Sequence, residues 1–126
     1  MDYQTPLAKV KGLGAAKAGT GHFWMQRITA ITLIPLSLWM VAFTEQLLNA
    51  SHQDMIAWLS GPMDTILALV WIIAAFYHAA LGLQVVIEDY VHAEWIKISS
   101  IWLMKLTFLF FAIAAIVAIL RISMIG

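Results

Sequence analysis

Residues 65–87 contain no Asp, Glu, Lys or Arg, and the one imidazole among them, His78, lies about 13 residues into the run. A segment this apolar and this long suits a helix crossing a hydrocarbon core of roughly 30 Å, for which about 20 residues suffice. An imidazole at that depth is costly without a partner, so it marks a functional site, and a metal or cofactor is the expected partner. The run ends in Glu88, Asp89, Tyr90, Val91 and His92, where acids and a phenol return the chain to water.

Two further segments, residues 27–48 and 98–124, are also long enough to span. Of the 126 residues 63% are hydrophobic and 11% charged, too few charges to cover a soluble domain of this size. The expected fold class is therefore an all-α membrane protein with three transmembrane helices. It forms one membrane-anchor domain over residues 1–126, with an arm at residues 1–25. Pro35 falls inside the first span, which membrane helices accept when neighbours satisfy the freed carbonyl. Residues 49–54 read as a loop and residues 55–59 as a short interfacial helix with Trp58 at headgroup depth, before the breaker Ser60-Gly61-Pro62. The arm between Lys9 and Gly21 lacks apolar periodicity and reads as irregular or surface-lying.

Orientation follows from the basic residues. Lys9, Lys11, Lys17 and Arg27 precede or open the first span, whereas residues 45–64 hold no Lys or Arg. The N-terminus is therefore expected in the cytoplasm. Three spans then place Asp89, Tyr90 and Lys97 on the cytoplasmic side as well and Gly126 outside, with Arg121 the one basic residue opposing. A net charge of zero gives no reason to expect nucleic acid. With no cysteine, this chain supplies neither a disulfide nor iron–sulfur ligation.

On a helix, Ala74, Ala75, His78, Leu81, Gly82, Val85 and Asp89 share one face. Small residues around the histidine leave room for a porphyrin edge, best at Gly82, or for another helix. Neutral imidazole is a common axial ligand of haem iron, and an electron-transfer haem takes a second one. His22 and His92 sit near the cytoplasmic boundary and His52 in the opposite loop, so a bis-histidine haem needs its second ligand from another chain. A plainer reading stands beside this one: a lone intramembrane histidine can bond a carbonyl, Ser or Thr of a neighbouring helix, and a small-residue face can be a packing seam.

Asp89 lies eleven residues beyond His78, about 16 Å along a helix. Tyr90 beside it can donate a hydrogen bond to a quinone carbonyl, and Asp89 or Glu88 can pass protons; alone, these residues would read as an ordinary polar span end. Arg27 is either an interfacial anchor or a fork for haem propionates. Lys105 reads as a snorkelling lysine, and Trp24, Trp58 and Trp95 as interfacial anchors.

The run from His78 through Gly82 to Asp89 and Tyr90 resembles the H-x-x-x-G-x-x-x-x-x-x-D-Y signature of the D-type hydrophobic anchor subunit of succinate dehydrogenase, respiratory complex II. The stretch Arg27-Ile28-Thr29-Ala30-Ile31 resembles the R-x-T-A-I segment of the same subunits. The resemblance covers nearly the whole chain and implies a subunit of a quinone-reducing succinate dehydrogenase that is not catalytic alone. It implies one b-type haem, ligated by His78 and by a histidine of a second, cytochrome-b-type hydrophobic anchor. It further implies that Tyr90 hydrogen-bonds ubiquinone beside Asp89, that Arg27 lies near the haem propionates or quinone, and that Gly82 packs against the haem. Flavoprotein and iron–sulfur subunits would dock on the cytoplasmic face. Glu88 adds a second carboxylate that a minimal form of the motif does not require. The implied location is a bacterial inner (cytoplasmic) membrane, with the mitochondrial inner membrane as the alternative. Two other functions fit the residues: an anchor of a quinol:fumarate reductase, or a haem-free structural or assembly membrane protein.

Overall fold

The computed structural model describes residues 5–10 and 19–125, and every regular element among them is helical. They are α1 (Pro6–Val10), α2 (Gly19–Asn49), α3 (His52–Leu59), α4 (Pro62–Tyr90) and α5 (Glu94–Ile125). Three of them, α2, α4 and α5, are long and apolar enough to cross a membrane. Side chains such as Leu38, Leu103 and Phe110 are about 70% exposed, the pattern of helices whose solvent on most sides is lipid.

Each long helix overruns the span expected from its apolar residues. At 1.5 Å per residue, the 31 residues of α2 extend about 46 Å, well beyond a core of roughly 30 Å. Hydropathy marks where lipid ends, but the backbone ladder continues into the interface because nothing there breaks it. The arm was expected to be irregular up to Gly21, yet residues 19–25 form the first turns of α2, and Pro6–Val10 makes a short helical turn. Lys11 and Lys17, two of the charges behind the orientation, lie outside the described residues, as does Gly126. α2 runs unbroken through Pro35, as expected of the first span.

α4 lies between α2 and α5, and the buried residues collect along its two seams. Against α2, Thr29 meets His78 and Ser37 accepts from the Trp71 indole N–H at 3.3 Å. These partners stand about two turns apart on each helix, so together they hold one antiparallel register. Against α5, Thr65 pairs with Ser123 and Phe76 meets Phe108 edge to face, with centroids 5.9 Å apart.

The link between α2 and α4 is more ordered than a loop and a five-residue piece. Ser51 caps α3 by a capping box: its hydroxyl accepts from the Asp54 N–H at 3.2 Å, while the Asp54 carboxylate accepts from the Ser51 N–H at 3.2 Å. The same carboxylate accepts from the Ser51 hydroxyl at 2.6 Å. These bonds, the hydroxyl's first, hold the Asp54 carboxyl below its ordinary pKa. His52, Gln53 and Asp54, expected in the loop, therefore form the first turn of α3; the Ser-x-x-Asp spacing was the signal for it. Trp58 stacks on Phe43 at 4.0 Å and near Trp39 at 6.3 Å, so it packs onto α2 rather than acting only as a headgroup anchor. At the turn into α4, a Cβ on Gly61 would stand 3.1 Å from both the Trp58 carbonyl and the Asp64 carboxylate, so a larger residue ahead of Pro62 would crowd this turn.

Candidate functional site

His78 sits near the middle of α4, half-buried, with Nδ1 3.0 Å from the hydroxyl of Thr29 on α2. Thr29 is one of the two buried polar residues among those described, at 8% exposure. Its hydroxyl also donates to the helix's own backbone, lying 2.7 Å from the Met25 carbonyl and 3.1 Å from that of Gln26. The plainer expectation for an intramembrane histidine, a Thr of a neighbouring helix, is thus realised for one ring nitrogen. Among the described residues no hydrogen bond engages the other nitrogen, Nε2.

The face expected around His78 divides in two. Ala74 and Leu81 are buried by the chain's own packing, whereas Ala75, Gly82 and Val85 remain half-buried and Asp89 is exposed. A Cβ built on Gly82 would meet nothing within 4 Å, so the backbone one turn beyond His78 faces open space. These residues fit the edge of a broad, flat group: a histidine with an uncommitted nitrogen and a gap beside it on the same helix. No cluster of three or more His, Cys, Asp or Glu side chains occurs among the described residues, so a metal on His78 would draw its other ligands from elsewhere.

Asp89 and Tyr90 end α4 in the open, with Tyr90 78% exposed. The Val91 N–H closes the helix on the Ile87 carbonyl. Glu88 is engaged one turn back, where its carboxylate accepts from the Gln84 amide at 2.8 Å. Of the two adjacent acids, Asp89 is therefore the one on the His78 face, while Glu88 is tied to Gln84. Arg27 is exposed, and its guanidinium lies over the Phe23 ring at 4.3 Å from the centroid. It stands two residues before Thr29, almost opposite on α2, so the seam that joins Thr29 to His78 does not bring Arg27 to the histidine.

Sequence reasoning missed Thr29, although its stretch was quoted, because a threonine in a helix ordinarily bonds its own preceding turn. It also missed a cavity of about 690 Å³ lined by α2, α4 and α5, whose wall does not include His78. His22, Tyr77, Gln84 and Lys105 stand in its largely apolar wall, and among the described residues the buried His22 Nε2 has no hydrogen-bond partner. Lys105, expected about two turns into its span, lies three turns from the start of α5, because that helix begins at Glu94. Trp24 and Trp95 are exposed near helix ends, in keeping with interfacial anchoring.

The model of the succinate dehydrogenase/fumarate reductase transmembrane subunit family matches residues 1–120. A succinate dehydrogenase hydrophobic membrane anchor subunit of Rickettsia bellii is 39% identical over 118 residues, covering 94% of each chain. The subunit of the same name from Rickettsia felis is 34% identical over 118 residues, covering 92% of each. That of Paracoccus denitrificans is 27% identical over 90 residues, 71% of this chain and 70% of the relative. Three helices long enough to span, a histidine in the middle one and matches over almost the full length agree: the chain belongs to the family of succinate dehydrogenase/fumarate reductase transmembrane subunits.

Proposed function

We propose that this chain is one of two membrane anchors of a succinate:ubiquinone oxidoreductase, holding one axial histidine of a b-type haem and part of the ubiquinone-reduction site. The observation that carries the reading is His78: an imidazole in the middle of a spanning helix, with Nδ1 hydrogen-bonded, Nε2 uncommitted among the described residues, and open space at Gly82 one turn along the same helix. When bound, a b-type haem would supply reversible one-electron storage beside the quinone site. The second axial histidine would come from the other anchor, and flavoprotein and iron–sulfur subunits would bring electrons from succinate.

The residues at the end of α4 do the remaining work. Reduction of a quinone to a quinol consumes two electrons and two protons. Tyr90, exposed at the interface, donates its phenolic hydrogen bond to a quinone carbonyl and orients it. Asp89, one residue away and open to water, delivers protons from the cytoplasmic side. Arg27 lies on another side of α2 and serves an anionic group there, a haem propionate or a lipid phosphate at the interface. The reading as a succinate dehydrogenase anchor, rather than that of a fumarate reductase, is supported by the names of the relatives. The location that goes with it is a bacterial cytoplasmic membrane with the N-terminus and the end of α4 in the cytoplasm.

A second reading is favoured by one contact: the Thr29 bond could satisfy His78 as a purely packing residue in a haem-free anchor. A reduced-minus-oxidised visible spectrum of the detergent-purified complex, with each chain identified by mass, decides between the two. A b-type α-band beside a co-purifying flavoprotein, iron–sulfur protein and second anchor is the expected result. A wild-type complex without that band overturns the haem assignment.

A further inference from the structure

We infer that Thr29 is a positioning residue that fixes the tautomer of His78, keeping the proton on Nδ1 and the lone pair on Nε2; this rests on the reading of His78 as a haem ligand. A hydroxyl has one proton to give, whereas the Thr29 oxygen faces three polar atoms. It is 2.7 Å from the Met25 carbonyl, 3.1 Å from the Gln26 carbonyl and 3.0 Å from His78 Nδ1. The two carbonyls are acceptors only.

If the hydroxyl gave its proton to Nδ1, two oxygens would stand 2.7 Å apart with no hydrogen between them, at the separation characteristic of a made O–H···O bond. The consistent assignment has Thr29 donating to its own backbone and turning a lone pair to Nδ1, which must then carry the hydrogen. A neutral imidazole protonated at Nδ1 has its lone pair on Nε2, the atom left uncommitted. Thr29 is 8% exposed, so water has little access to replace the bond. The register that brings α2 to α4 is held two turns away by Ser37 and Trp71.

Such an acceptor does more than orient the ring. A hydrogen bond from the distal N–H makes the imidazole a stronger base and ligand, and its loss typically weakens metal affinity about 10- to 100-fold. A weaker donor favours the reduced iron, so removing the acceptor moves the midpoint potential upward.

The test uses the whole purified complex carrying Thr29→Val, Thr29→Ser or His78→Ala, with haem per complex and an optical redox titration as readouts. Thr29→Val keeps the branched shape and removes the acceptor. The expected result is haem retention weaker by about 10- to 100-fold, with an upward shift of the residual band's potential, while Thr29→Ser stays close to wild type. If Thr29→Val titrates like wild type while His78→Ala abolishes the band, the inference about Thr29 is wrong and the ligand assignment survives. If His78→Ala keeps the band, or wild type has none, the ligand assignment fails and this inference fails with it. Should Thr29→Val not assemble, Thr29→Cys, similar in size and a weaker acceptor, replaces it, and an unshifted potential there is equally fatal.

Discussion

Two threonines tie α4 to its neighbours, and they differ in what they leave over. Thr65, near the start of α4, donates to the Leu59 carbonyl at 2.6 Å or the Gly61 carbonyl at 3.0 Å and meets the Ser123 hydroxyl of α5 at 3.1 Å. Thr29 makes the same kind of backbone bonds but meets an imidazole of α4 instead. Both residues are 8% exposed. A pair of hydroxyls closes on itself, since each can donate to the other or to its own backbone. A ring with two nitrogens does not, because a single bond to Nδ1 leaves Nε2 on the far side. The first pair is a helix clasp; the second leaves one ring nitrogen of His78 without a hydrogen bond among the described residues.

Substitutions on the two sides should therefore separate. His78→Ala is expected to abolish the b-type band altogether, the largest effect, read in the difference spectrum of the assembled complex. Tyr90→Phe should leave that band intact and lower quinone reduction by about 10-fold, the value of one lost hydrogen bond, measured as succinate-dependent ubiquinone reduction. A variant that reduces quinone normally removes Tyr90 from the pocket. Thr65→Val should leave the spectrum and potential at wild-type values and cost only about 1 kcal/mol of stability, seen as a lower melting temperature; a shifted haem potential there would erase the distinction between the two threonines.

The smallest effect lies outside the spans, at the cap of α3. Because the Ser51 hydroxyl and then its N–H hold the Asp54 pKa down, the cap contributes fully above the ordinary carboxylate pKa of about 3.9. Its contribution is lost as the pH falls through the lower folded value. Protection of the first turn of α3 against hydrogen exchange, taken relative to the intrinsic rate at each pH, should fall in that acidic window, and Ser51→Ala should move its onset toward neutral pH. Unchanged exchange in Ser51→Ala would show that the box does not hold this turn.

The sequence made some of this legible and hid the rest for identifiable reasons. Residues 65–87 could be read as a span because lipid tolerates little besides apolar side chains over that length, and His78 stood out against them for the same reason. The helix ends were misjudged, since a helix has no reason to stop where hydropathy does; residues 19–25 belong to α2. Trp58 could be read as a belt residue, and the structure adds that its ring stacks on Phe43 of α2. Helix periodicity put Asp89 on the His78 face but left the proton role open between Asp89 and Glu88; the structure adds that the Glu88 carboxylate accepts from the Gln84 amide one turn away.

What the residues determined alone is the class of molecule: three apolar helices, one imidazole within a span and an acid–phenol pair at the end of the same helix. Periodicity along a single helix is enough to fix those relations, because Gly82, Asp89 and Tyr90 are placed by their distance from His78 along one backbone. Which atom of a different helix meets the histidine was decided only by tertiary structure. Thr29 lies 49 residues from His78, and their meeting depends on the register of α2 against α4, which packing and the Ser37–Trp71 bond set together. That contact is the ground on which we infer the imidazole's tautomer, and no local pattern carries a proton's position.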